Sequence, residues 1–217
     1  MIKGYVGALL EVLLFGVVTY STSSWFAMPA LQYYWYCFTV LTAFWEFIYV
    51  TEYGAIVNYA KGLLQRHEHV WTMTFPLAMV LPQNMARLFY AEYGAYADRE
   101  YMTKVEYRHL DYWSRLVESS HALLCGWFAG VALLLSYLGY YDHSTQVAMF
   151  GMGCQLMNSI LYMGQYFLQC NIPGGVNNNT VEFPLGRWMS KRPFMWVNIF
   201  WSLMPVMCLS QSLYMLG

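Results

Sequence analysis

Apolar residues come in five long runs separated by polar stretches. The pattern places helices near 4–22, 33–57, 113–138, 144–168 and 194–215, each close to the ~20 residues a helix needs to cross a hydrocarbon core. A sixth run, "VWTMTFPLAMVLPQ" from Val70 to Gln83, is shorter and carries Pro76 and Pro82, so it reads as a re-entrant or surface segment rather than a span. The expected fold is all-α: a polytopic membrane protein whose five-transmembrane-helix bundle forms one domain over 1–217, with a long loop over 58–112. Lys3 ahead of the first apolar run imitates a signal peptide. Glu11 interrupts that run, however, and no clear small-x-small cleavage site follows closely, so the run is expected to be the first span.

Charge placement agrees with five crossings. With the N-terminus inside, every Lys and Arg falls on one side: Lys3; then Lys61, Arg66, Arg87, Arg99, Lys104, Arg108 and Arg115; then Arg187, Lys191 and Arg192. The 58–112 loop is therefore an inner-side loop, and making Val70–Gln83 a sixth span would split its basic residues between the two sides. Composition points the same way, since 59% of the residues are hydrophobic and 11% are charged, against roughly 25% charged in soluble domains. Aromatics reach 19%, more than lipid contact requires, which calls for an internal pocket or interfacial anchors. A net charge of -1 argues against a nucleic-acid partner. The cysteines, Cys37, Cys125, Cys154, Cys170 and Cys208, are scattered without metal or disulfide spacing and read as reduced and structural. "GGVNNNT", Gly174 to Thr180, is a turn-rich loop whose sequon at Asn178 faces the inner side and is expected to be unused.

An ionisable residue inside a span costs on the order of 2.5–3.5 kcal/mol, so each is a functional candidate. Glu46 lies mid-run in "YWYCFTVLTAFWEFIYV"; Asp111, Glu118 and His121 follow at spacings that share one helical face. The fourth run offers Gln155, Asn158 and Ser159, and the fifth places Asn198 and Trp201 one turn apart. A plainer reading stands beside this one. Asp111 and Glu118 each lie one turn from Arg115 and would then form a neutralised packing network, with Asn198 an interhelical hydrogen-bonding residue and Trp201 ordinary core. Metal chemistry is not expected: "HEH" at His67–His69 has no third partner in view, five histidines are too few for a histidine-box oxygenase, and a haem pair of His109 and His121 has no supporting motif. No cofactor is called for.

Taken in order along the chain, these residues carry a family resemblance. An Asp seven residues before a Glu, with a Gly eight after it, is met by Asp111, Glu118 and Gly126. N-x-x-W-x-x-x-P is met by Asn198, Trp201 and Pro205, and a Trp-aromatic pair with a Glu about three turns on by Trp35, Tyr36 and Glu46. "QLMNSILY" from Gln155 and, loosely, "AEYGAYADREY" from Ala91 extend the match. The chain resembles the emopamil-binding-protein family of 3-β-hydroxysteroid Δ8,Δ7-isomerases and the wider EXPERA group that includes the sigma-2 receptor. It departs from that isomerase pattern at three places: Thr42 stands where the family has a His, His121 where it has a Thr, and Ser159 where it has an Asp. The segment around Lys61–Gln83 is also longer.

The resemblance implies a five-helix bundle of EXPERA type that binds a sterol or other membrane lipid and shifts its double bond by protonation and deprotonation. Glu46 and Glu118 would be proton donor and acceptor, with His121 assisting Glu118 or relaying its proton. Asn198 would orient a carboxyl group, Trp201 would stabilise a carbocation through its ring face, and Asp111, Thr42 and Ser159 would complete the substrate-binding wall. The alternative is a noncatalytic lipid-binding or structural subunit of a larger membrane complex, such as a mitochondrial respiratory assembly. It would dock other membrane-protein subunits through Lys61–Gln83. The endoplasmic reticulum and the mitochondrial inner membrane both stay open, since the chain as given ends "SLYMLG" without a dilysine-type signal. A transporter is disfavoured, with neither an internal repeat nor a pair of broken helices in view.

Overall fold

The computed structural model describes residues 1–97, 113–169 and 193–216, and is mostly helical. In order, the elements are β1 (Ile2–Lys3), α1 (Gly4–Thr22), α2 (Ala30–Thr51), α3 (Tyr53–Arg66), β2 (Thr74–Phe75) and α4 (Pro82–Glu92), the last running into a π turn, Tyr93–Ala97. Then come α5 (Trp113–Ser120), a second π turn (His121–Gly126), α6 (Trp127–Tyr137), α7 (Tyr141–Gln169) and α8 (Pro193–Leu216). Asp111, Cys170 and the Asn178 loop lie outside the described residues.

Long helices stand where the five apolar runs predict them, but the described residues do not confirm five helices of spanning character. Among the described residues, Gly4–Trp25 and Arg115–Tyr137 are long and apolar enough to cross a membrane, and the α2–α3 pair makes a third if its bend falls within one span. In α7, Asp142, Gln146, Gln155 and Asn158 dilute the apolar content below that of a span. The single helix expected over 33–57 is two, with an 87° bend between α2 and α3. Glu52 sits at the break, where Arg87 of α4 forks onto its carboxylate with two contacts of 2.6 Å.

The 58–112 stretch, expected as a loop, begins as the second half of α3 and contains α4. Both are short helices with one apolar face: Ile56, Val57, Ala60 and Leu63 on α3 meet Tyr90 and Ala91 of α4 in a shared core. The Val70–Gln83 run is built into the fold. Its backbone carbonyls at Trp71 and Met73 accept the N–H groups of Tyr5 and Gly4, satisfying donors that the first turn of α1 leaves open. β1 pairs antiparallel with β2, Ile2 opposite Phe75. The approach is so close that a Cβ on Gly4 would stand 2.0 Å from the Val70 carbonyl oxygen, a contact only glycine permits.

Two buried clusters sandwich the site. One gathers Tyr49, Val57, Leu63, Tyr90 and Tyr162; the other gathers Trp35, Tyr36, Ala129, Ala132 and Met152. α2 belongs to both, and its residues between Tyr36 and Tyr49 include the buried polar groups Thr39, Thr42 and Glu46. Small residues bring α2 against the second π turn, where a Cβ on Gly126 would stand 2.2 Å from Ala43 Cβ. Side chains such as Leu9, Val12, Leu13 and Val17 on α1 face away from the protein and are exposed, as lipid contact requires.

Candidate functional site

A cavity of about 350 Å³ opens between α2, α4, α5, α7 and α8. Glu46 enters from α2 and Glu118 from α5, and their carboxyl groups are hydrogen-bonded to each other. Glu118 also receives the Tyr90 hydroxyl at 3.1 Å on Oε2.

His121 follows Glu118 by three residues, yet its ring reaches Glu46: Nδ1 lies 2.5 Å from Glu46 Oε2. The reason is local. The helix widens into a π turn at His121, and such turns re-aim side chains and recur at functional sites. Nδ1 of His121 thus meets Glu46 on the facing helix, while Glu118 lines the same cavity. The imidazole that the resemblance would set on α2, at Thr42, instead approaches the same carboxyl from the facing wall. Its other nitrogen, Nε2, lies 2.8 Å from Gln155 Nε2 of α7. Gln155 is in turn held by the Trp35 indole at 2.8 Å and by Thr39 at 3.3 Å. Glu46, Glu118, His121 and Gln155 are all buried.

The Trp201 ring meets His121 edge to face at 5.1 Å and stacks on Phe38 at 5.5 Å, which fixes one aromatic wall. Thr42, Ser159 and Asn198 also line the cavity. The first two turn their hydroxyl hydrogens to backbone, Thr42 to the Phe38 carbonyl at 3.0 Å and Ser159 to that of Trp201 at 2.8 Å, so what their hydroxyls offer a ligand is oxygen lone pairs. Asn158 pins α5 just before the π turn, donating to the Val117 carbonyl at 3.0 Å and Ser120 Oγ at 2.8 Å. Arg115, the proposed centre of an ion network, sits 4.9 Å over the Tyr53 ring and donates to the Val50 carbonyl.

Of the residues predicted from sequence, Thr42, Glu46, Glu118, His121, Ser159, Asn198 and Trp201 surround this one cavity; Asp111 lies outside the described residues. Sequence reasoning missed Tyr90 and Trp45. Trp45 lines the cavity from α2, and as one of nine tryptophans it carries no distinguishing signal in the sequence. Tyr90 sits in a stretch read as loop, although Pro82 at the first helical position and apolar positions at Met85, Ala86, Phe89 and Tyr90 were a helix signal. His69 of the "HEH" stretch pairs with Glu92 at 2.6 Å and stacks on Tyr96, and none of the three lines the cavity.

Chemically, the arrangement offers two carboxyl groups and an imidazole in an aromatic-walled enclosure. That set can give a proton to an apolar ligand and take one back. Compared with family models, with curated proteins and with solved structures, the chain matches none.

Proposed function

We propose that the chain is an EXPERA-type membrane protein of five spans that binds a sterol-like lipid in this cavity and moves its double bond between neighbouring ring positions. The observation that carries the reading is the Glu46–Glu118 carboxyl pair, drawn from two helices into one buried, aromatic-walled cavity. One carboxyl gives its proton to an alkene carbon, leaving a carbocation on the adjacent carbon. The other takes a proton from the neighbouring C–H bond, whose electrons become the new double bond. No proton is gained or lost overall, and transfer between the hydrogen-bonded carboxyls resets the pair. Trp201 and Phe38 offer ring faces to the transient cation. The cavity volume lies at the lower end of the roughly 300–1,000 Å³ typical of small-molecule sites, which suits the reacting rings with the remainder of the lipid extending into the bilayer. The membrane in question is that of the endoplasmic reticulum or the mitochondrial inner membrane.

The test is growth of a yeast strain lacking its own Δ8-sterol isomerase. The unmutated chain should restore growth, and Glu46→Gln and Glu118→Gln should each abolish Δ8-to-Δ7 conversion at unchanged abundance, since an amide keeps the shape but cannot exchange the proton. Failure of the unmutated chain at normal abundance and correct targeting defeats the enzymatic reading. Sterol retained on purified protein without conversion would leave lipid binding alone.

A further inference from the structure

We infer that Gln155, fixed by Trp35, holds His121 in its Nδ1–H form, so that the imidazole is a standing donor to Glu46 and the carboxyl pair alone exchanges the proton with the ligand. This rests on the reading above for the exchange itself; the assignment of hydrogens stands on geometry. It begins at Trp35, because an indole N–H can only donate. That N–H lies 2.8 Å from one end of the Gln155 amide, which must therefore be the carbonyl oxygen. The amide nitrogen is then the end that faces Thr39 Oγ1 at 3.3 Å and His121 Nε2 at 2.8 Å, one hydrogen for each. An amide N–H pointed at Nε2 requires a lone pair there. The ring's hydrogen is left on Nδ1, directed at Glu46 Oε2, 2.5 Å away.

The alternatives are closed by burial. Hydrogen on Nε2 would oppose the amide N–H, and turning the amide to relieve this would bring its NH₂ against the indole N–H. Gln155 and Thr39 are wholly buried, and Trp35 and His121 nearly so. A mismatched pair there would be left unsatisfied away from water, which folded proteins avoid. The chain Trp35, Gln155, His121, Glu46 thus transmits one polarity across three helices, from an indole that cannot change to a carboxyl that must. Gln155 and His121 are positioning residues in this scheme. They keep Glu46 Oε2 as an acceptor and hold its carboxyl toward Glu118, and His121 does not relay the proton as the resemblance suggested.

The experiment is ¹⁵N NMR of histidine-labelled full-length protein in nanodiscs, with the His121 signals identified by their loss in His121→Asn. The expected spectrum has a protonated, pyrrole-like Nδ1 and a pyridine-like Nε2, told apart by their couplings to the two ring carbon-bound hydrogens. Protonation of Nε2, alone or together with Nδ1, overturns the inference. Gln155→Glu supplies the converse: a carboxylate accepts from both Trp35 and Nε2–H, so Nε2 should shift from pyridine-like to pyrrole-like, and an unchanged Nε2 in a folded variant also overturns it. If that variant does not fold, the spectrum of the unmutated protein decides. None of these signals depends on turnover, so loss of the isomerase reading in the yeast assay and loss of this assignment are separate results.

Discussion

Gly126→Ala should open the site from behind. The added methyl would stand 2.2 Å from Ala43 Cβ, whereas ordinary contact begins at 3.4 Å. Both atoms are fixed to backbone and no rotamer relieves the overlap, so α2 and the second π turn must part by about 1.2 Å. Ala43 lies one turn before Glu46 and Gly126 one π turn after His121, so the same displacement stretches the 2.5 Å Glu46–His121 contact to about 3.7 Å, outside hydrogen-bonding range. Overpacking contributes up to about 3 kcal/mol, and the lost buried hydrogen bond about 1–2 kcal/mol. The helix preference of Ala over Gly returns about 1 kcal/mol. The net loss of about 3 kcal/mol should lower the apparent Tm by about 6–12 °C for a chain of this size, measured by thermal unfolding in detergent, and Δ8-sterol conversion should fall with it. Gly16→Ala is the control, since nothing lies within 4 Å of a Cβ there. Ala43→Gly placed on Gly126→Ala should recover most of the loss by removing the opposing methyl. A Gly126→Ala protein whose Tm stays within about 2 °C of the unmutated value, with conversion intact, refutes the packing argument.

Two further outcomes are expected from the segments that frame the site. Glu52→Gln removes the fork from Arg87 at the α2–α3 bend; because both side chains are partly exposed, the loss should be about 0.5–1 kcal/mol and should shrink in 1 M salt, so a Tm difference that is absent at low salt or indifferent to salt contradicts the assignment. Gly4→Ala drives a Cβ into the Val70 carbonyl and should detach β1 from β2. Hydrogen exchange should then quicken in residues 2–7 and 70–75 together, and unchanged exchange in either stretch would show that the contact does not hold the N-terminus.

Helix positions were legible in the chain because they are local properties. A run of apolar residues forms a helix wherever it lies, and α1 occupies Gly4–Thr22 as the pattern predicts. Glu46 and Glu118 could likewise be singled out, since a carboxyl in an apolar run is anomalous whatever it faces. The helices α3 and α4 were hidden because their charged faces imitate a loop, and each becomes a helix with a defined buried side only by closing on the other and on Tyr49. The end of α2 at Thr51 was hidden too: a single glycine, Gly54, in "YVTEYGAIV" is tolerated inside many helices, and the bend carries the Arg87 fork from a residue 35 positions away. Most of all, sequence spacing set His121 beside Glu118, its near neighbour on one face. The tertiary structure adds Glu46 and Gln155 as its hydrogen-bond partners, because the choice of partner across the bundle belongs to whichever facing helix comes within 3 Å, which spacing cannot encode.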